Sequence, residues 1–360
     1  FFDIICKFLL IFSGHCYRLD KNAHLWDGIC NDIKTGSGII RLARHTVSKR
    51  KQITDLLKSA AHTKYRGNRH SEKAAQTASL TDQGQQRKSS GGSAPTLGII
   101  GRLGGLGARP ELTGFVSDGD GALAALSAGL KLAEMNKTAM YSKATSWLPP
   151  TSARMHLHRT TILFRSWFIH RHADQQRKEV DPRMDAIISI DTTKGNKVIN
   201  TNGFAIHPNI KSGYILEVSD DLLDVMTRVT GKTAYVFPVS QQDITPYGND
   251  LHHLNSILQP ATATDAPVVG VAITTEQPVA GCATGASHPL DVESAARFAV
   301  EVAKDYGEGK ISFYNEQEYA HLLELYGEMK VFQTFGKKQT QLRNKYKSHN
   351  KDKVLTMQKI

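Results

Sequence analysis

The sequence predicts an α/β fold, a three-layer sandwich around a largely parallel or mixed sheet. Three observations predict it. Short apolar runs bounded by glycine or polar residues (Thr96–Gly101, Ala186–Ile190, Val268–Ile273) have the length and composition of buried strands. Longer stretches with apolar residues at helical spacing, Ala122–Met135 and Pro289–Tyr306, follow such runs. Carboxylates and glycines gather where the strand runs end, which is where open α/β sheets bind ligands.

Taken in order, Thr96–Gly101 is the first strand. Gly101–Gly107 (GRLGGLG) is too rich in glycine for an element interior and predicts a loop of close backbone approach. Leu112–Val116 reads as a second short strand. Asp118-Gly119-Asp120-Gly121 predicts a turn whose carboxylate caps the alanine-rich helix Ala122–Met135. Ala186–Ile190 is a strand that stops before Asp191. Tyr214–Val218 and Ala234–Val239 read as strands on either side of a helix, Ser219–Thr230. That helix has Ser219 as its cap, Asp220 and Asp221 in its first turn and Gly231 beyond its end. Asp250–Leu258 begins a helix that Pro260 closes. Val268–Ile273 is a strand, Pro289–Tyr306 a helix opened by Pro289, and Glu316–Met329 a further helix.

The chain has 360 residues, 45 basic and 34 acidic side chains, a net charge of +11 and four cysteines. So few cysteines exclude a disulfide scaffold and point to a reducing, cytoplasmic compartment. No apolar run reaches the roughly 20 residues a membrane helix needs. Phe1–Phe12 is apolar but holds Asp3 and Lys7 and lacks a basic leader and a clean cleavage site, so a signal segment is the minority reading. The charge is unevenly placed. Residues 1–90 carry 16 basic and 7 acidic side chains, net +9, whereas residues 181–330 carry 10 and 20, net −10. The basic segments lack ordered periodicity with interleaved aromatics, which argues against nucleic acid as a partner. Residues 1–90, 137–178 and 337–360 are expected to pack poorly, the last as a basic tail. Residues 91–336 form the folded domain.

Candidate site residues follow from the strand ends. Asp118 and, less favoured, Asp120 can cap a helix or hold a metal ion. Asp191 can close an Asx-turn or act as a carboxylate ligand. His288, in a loop that also holds Cys282, is either a turn residue before Pro289 or a rigidly held imidazole ligand. Cys282 reads first as a small buried residue. The polar run Asp243–His253 (DITPYGNDLHH) contains Asn249, Asp250 and two adjacent histidines, His252 and His253, which cannot both face one site. With Arg102, Gly104 and Gly105 of the glycine loop, Asn249 and Asp250 are the candidate substrate-binding residues.

Gly91–Met135 and Val180–Gly336, roughly 200 of the 360 residues, resemble a prokaryotic family of unknown function through the blocks SDGDGALAAL, DAIISIDTTKGN, DITPYGNDLHHLNSILQPATAT and GCATGASHP. More distantly, the layout is similar to zinc aminopeptidases of the glutamyl aminopeptidase type. That resemblance implies a metal-dependent hydrolase acting on a peptide or amide, with zinc held by Asp118, Asp191 and His288. Two features of those peptidases are missing here. Gly-Arg-Leu-Gly-Gly stands where they carry His-x-Asp, and no Glu-Glu pair lies in residues 136–180, so the general base and one ligand have no counterpart. The alternative is a non-catalytic binder of a small molecule or peptide on the same scaffold. Assembly into a homo-oligomer stays open.

Where the family continues with a strand and Thr-His-Ile-Cys-Pro, this chain reads KTAMYSKATSWLPPTSARMHLHRTTILFRSWFIHRHADQQ. Shifted by one base, codons permitted for Lys137 to Pro150 give Gly-Asp-Val-Leu, a free position, then Gly-Asp-Val-Val-Ala-Thr-Thr. From Thr151 onward they give His-Ile-Cys-Pro. Residues 137–176 are therefore expected to be translated out of frame, with part of 1–90, and the histidines within 137–176 are not offered as ligands.

Overall fold

The computed structural model describes residues 64–69, 75–81, 94–103, 117–137, 145–148, 150–153, 180–193, 198–238, 256–276 and 287–333. Among the described residues ten strands form one sheet: β1 (Lys64–Arg69), β2 (Ala75–Thr81), β3 (Thr96–Leu103), β4 (Thr145–Leu148), β5 (Pro150–Ala153), β6 (Ala186–Thr192), β7 (Gly203–Ile206), β8 (Ile210–Lys211), β9 (Tyr214–Ile215) and β10 (Val268–Thr274). The order is β1-β2-β4-β3-β6-β10-β8-β9, with β5 beside β2 and β3, and β7 beside β10. The centre is parallel: β3 with β4, β5 and β6, and β6 with β10. Both margins are antiparallel. The predicted α/β class with a mixed sheet is the observed one.

The three central strands are apolar on both faces, as a parallel sheet covered on both sides requires. One face, carrying Leu97, Ile99, Ile188, Ile190, Val271 and Ile273, packs on three helices: α1 (Asp120–Lys137), α2 (Asp220–Thr230) and α3 (Pro289–Gly307). The other face, carrying Ile100, Ile187, Val268 and Ala272, packs on a 3-10 turn, Ser256–Thr262, and on Met184 and Phe237. A fourth helix, α4 (Glu316–Tyr326), buries none of its side chains.

The helix α1 rides unusually close to the sheet. A Cβ on Gly101 would fall 2.6 Å from the Gly121 carbonyl oxygen, and one on Gly121 only 2.3 Å from the Ile190 carbonyl oxygen. Glycine at both positions is what sets the start of α1 directly on the end of β6. The helix α2 follows its predicted capping. Ser219 accepts from the Leu222 N–H, and Gly231 closes the helix in the left-handed region at φ 68°.

Several expectations are corrected. The strand expected to stop at Ile190 runs on through Asp191 to Thr192, because β10 stays paired beside it to the Ile273–Thr192 position. Tyr214–Val218 is a strand only over Tyr214–Ile215. Of Ala234–Val239, Val239 lies outside the described residues and the rest is no strand; Val236 makes a single parallel bridge to Ile206, too little for a ladder. Of the helix expected over 250–258, residues 250–255 lie outside the described residues, and the rest is the 3-10 turn with Pro260 inside it. Proline has no N–H to give an α-helix interior, and a short 3-10 run tolerates that better. The last helix stops at Tyr326 and not Met329, where Gly327 at φ 70° ends it. The strand expected over 112–116 lies outside the described residues. Four short strands (β1, β2, β4 and β5) come from segments expected to pack poorly. Their pairing is backbone to backbone, which an irregular side-chain pattern does not prevent.

Candidate functional site

Two helix starts meet at the carboxyl end of the parallel strands. At the first, a 3-10 turn, Ser117–Gly119, leads into α1. Its carbonyl at Ser117 accepts from the Thr192 hydroxyl at 2.7 Å, which ties the turn to the end of β6. Asp118 is half-buried and Asp120 is fully buried. At the second, His288 stands at the cap position of α3, and Pro289 follows with the fixed φ that suits a first helical residue. The Ser287 hydroxyl donates to Asp120, so the two starts are joined by a partly buried side-chain hydrogen bond.

His288 does not use its side chain to cap the helix. Its Nδ1 lies 2.7 Å from the carboxylate of Asp291, one turn on. Asp291 is 2% exposed, and its other oxygen accepts from the Gly203 N–H of β7 at 2.7 Å. A carboxylate pinned from both sides fixes the ring orientation of His288 and favours the tautomer with the proton on Nδ1. The imidazole is half exposed. It stands at the edge of a cleft of 490 Å³ between β7, α2 and α3, whose lining includes Phe204, Lys232, Tyr235, Asp291 and Arg297.

Asp191 lies inside β6 and not beyond its end. In β6, Ile188 and Ile190 face the helices and Ile187 faces the 3-10 turn. Alternation along the strand puts Thr192 on the helical face, where it meets Ser117, and Asp191 on the other. Asp191 accepts from the Thr192 N–H at 2.8 Å. Arg102, one position beyond the Gly101–Ile190 pair, shares that second face. Arg102 is 9% exposed and donates to Gln259 of the 3-10 turn at 3.3 Å, so it lies away from the cleft beside His288. Gly104, Gly105, Asn249, Asp250 and Cys282 lie outside the described residues, as do His252 and His253.

A zinc ion requires three or four N, O or S donors at about 2 Å from one point. Among the described residues, no three His, Cys, Asp or Glu side chains form a group that could hold a metal ion. Asp118, Asp191 and His288 stand toward the carboxyl end of the sheet and do not by themselves make up such a group. Alternation along β6 places Asp191 on the face opposite α1 and α3.

The carboxylate that orients His288 was missed as a site residue. Its spacing, His288-Pro289-Leu290-Asp291, carried the signal: i and i+3 at a helix start lie on one face. One further buried titratable group lies apart from the cleft. His207 is fully buried, its ring edge-to-face with Phe237 at 4.7 Å and stacked over Gly270, where an added Cβ would meet it at 2.4 Å. Burial pushes its pKa down to about 3.

Among the described residues no helix is long and apolar enough to cross a membrane. No curated protein matches the chain. Several solved structures are similar. The bottromycin maturation enzyme BotP overlaps with a TM-score of 0.44 at 14% identity, covering 72% of this chain and 64% of that one, just under two thirds. A cytosol aminopeptidase from Coxiella burnetii overlaps at 0.43 and 12% identity, covering 86% and 77%. A tomato leucine aminopeptidase overlaps at 0.45 and 10% identity, covering 83% and 72%. All three scores lie below 0.5, and the chemistry of the site follows from its own geometry. A family model described as "Protein of unknown function (DUF1177)" matches residues 68–336, three quarters of the sequence, and the chain belongs to that family.

Proposed function

We propose that the chain binds a small molecule or peptide in the cleft beside His288. One observation supports this reading above the others: His288, oriented by the buried Asp291 through a 2.7 Å contact, stands at the mouth of a 490 Å³ cleft with both apolar and polar walls. Sites for small ligands are concave and present a few fixed polar groups; this cleft is concave and holds such groups, with walls more polar than apolar. An imidazole held by a carboxylate can accept or donate a proton to a bound amide or carboxyl group. The test is calorimetric titration of the whole chain with N-acetyl amino acids and their amides. Saturable binding by at least one probe, weakened about tenfold or more in His288→Ala, is expected. No binding by any probe at roughly 1 mM removes the reading.

A metal-dependent hydrolase using Asp118, Asp191 and His288 is the second reading, with Asp120 as the less favoured ligand. The joining of both helix starts by Ser287 and Asp120, beside the end of β6, favours it. The missing Glu-Glu pair counts against catalysis in this copy. Elemental analysis after dialysis decides: one zinc per chain, lost in Asp118→Ala and in Asp191→Ala, supports it, and no bound metal sinks it.

A further inference from the structure

We infer that the cleft beside His288 selects ligands that carry a carboxylate on an apolar body, with Lys232 as the counter-charge. This rests on the cleft being the binding site. The acidic side chains of its lining are already engaged. Asp291 is held by His288 and by the Gly203 N–H, and Glu293 is paired with Arg297. The Asn202 amide donates to Glu276, and the Ser294 hydroxyl donates to the Leu290 carbonyl. Those groups have little left to offer a ligand.

Three lining groups are differently placed. Lys232 stands just beyond Gly231, the left-handed cap of α2, and its ammonium has no carboxylate partner among the described residues. The hydroxyls of Thr233 and Tyr235 likewise have no hydrogen-bond partner among them. A lysine next to two unengaged hydroxyl donors, in a lining whose own carboxylates are already hydrogen-bonded, is complementary to an anion. Phe204, Met226, Val229 and Leu290 supply the apolar wall, and Leu290 is 59% exposed on its rim. A carboxylate attached to a bulky apolar group satisfies both halves. Two sources share this chemistry: a free N-acyl amino acid and the C-terminus of a peptide.

The experiment titrates the full chain with N-acetyl-phenylalanine and with its amide, which differ only in the charge. Lys232 is exposed, so Lys232→Met leaves the fold intact, and circular dichroism checks it. The acid is expected to bind up to about fivefold more tightly than the amide, the upper end of what an exposed ion pair provides. Lys232→Met is expected to abolish that preference without changing affinity for the amide. Equal binding of acid and amide overturns the carboxylate assignment while leaving the cleft as a binding site. A preference that survives in Lys232→Met overturns the role of Lys232. Binding of neither probe overturns both this inference and the cleft reading. In a second arm, the acid and amide of N-acetyl-Ala-Ala-Phe are compared. Tighter binding of this acid than of N-acetyl-phenylalanine assigns a peptide terminus, and equal binding assigns the free amino acid.

Discussion

Lowering the pH from 7 to 5 is expected to cost the folded chain about 2 kcal/mol through His207 alone. In the folded chain burial holds this imidazole at a pKa of about 3, against an ordinary value of 6.5. Above pH 6.5 the ring is neutral in both states and contributes nothing to the pH dependence. Below 6.5 the unfolded chain takes up a proton that the folded chain refuses, so unfolding becomes easier by about 1.4 kcal/mol per pH unit. The loss continues until about pH 3, where the folded ring also protonates, and reaches about 5 kcal/mol at most. The assay is urea unfolding at pH 7 and pH 5 for the wild type and for His207→Leu, an apolar replacement for a ring packed against Phe237. Carboxylates and the other histidines affect both proteins alike and cancel in the comparison. The wild type should lose about 2 kcal/mol more than the variant between the two pH values. Equal losses would refute the reasoning, because they would mean that His207 titrates in the folded chain as it does in water.

Other substitutions test the packing and the origin of the chain. Gly121→Ala should destabilise by about 2–4 kcal/mol in thermal unfolding, because its Cβ meets the Ile190 carbonyl at 2.3 Å and backbone must move. Phe298→Ala should cost about 3–5 kcal/mol, since that ring is fully buried against Phe204 with centroids 5.1 Å apart. Ser219→Ala should cost about 1 kcal/mol by removing the cap of α2. Sequencing the encoding DNA should reveal a one-base shift around residues 137–176. An intact frame, with close relatives sharing that segment as it stands, would refute the out-of-frame expectation.

The elements that were legible in the sequence are those whose signals are local. Ser219 and Gly231 bracket α2 as their chemistry dictates, and the apolar runs of β3, β6 and β10 are the central strands. What was not legible depends on neighbours. Nothing in Ile190-Asp191-Thr192 says that β10 continues beside it for two more residues, yet that pairing decides which face Asp191 takes. The strands β7, β8 and β9 are too short to show alternation; β10 offers an edge to β7 and β8, and β8 offers one to β9. At the site, His288 was legible as either a turn residue or a rigidly held imidazole. Its partnership with Asp291 was hidden behind an ordinary feature, an acidic residue in the first turn of a helix.

The central claim is that the cleft beside His288 is where this chain meets its ligand. The most direct measurement is the NMR signal of the histidine rings during titration with N-acetyl-phenylalanine. The account predicts that the His288 ring, with its proton on Nδ1, shifts in a saturable way, while the exposed ring of His321 on α4 does not. A His288 signal that stays unchanged while the probe binds, or that moves no more than His321, would contradict it.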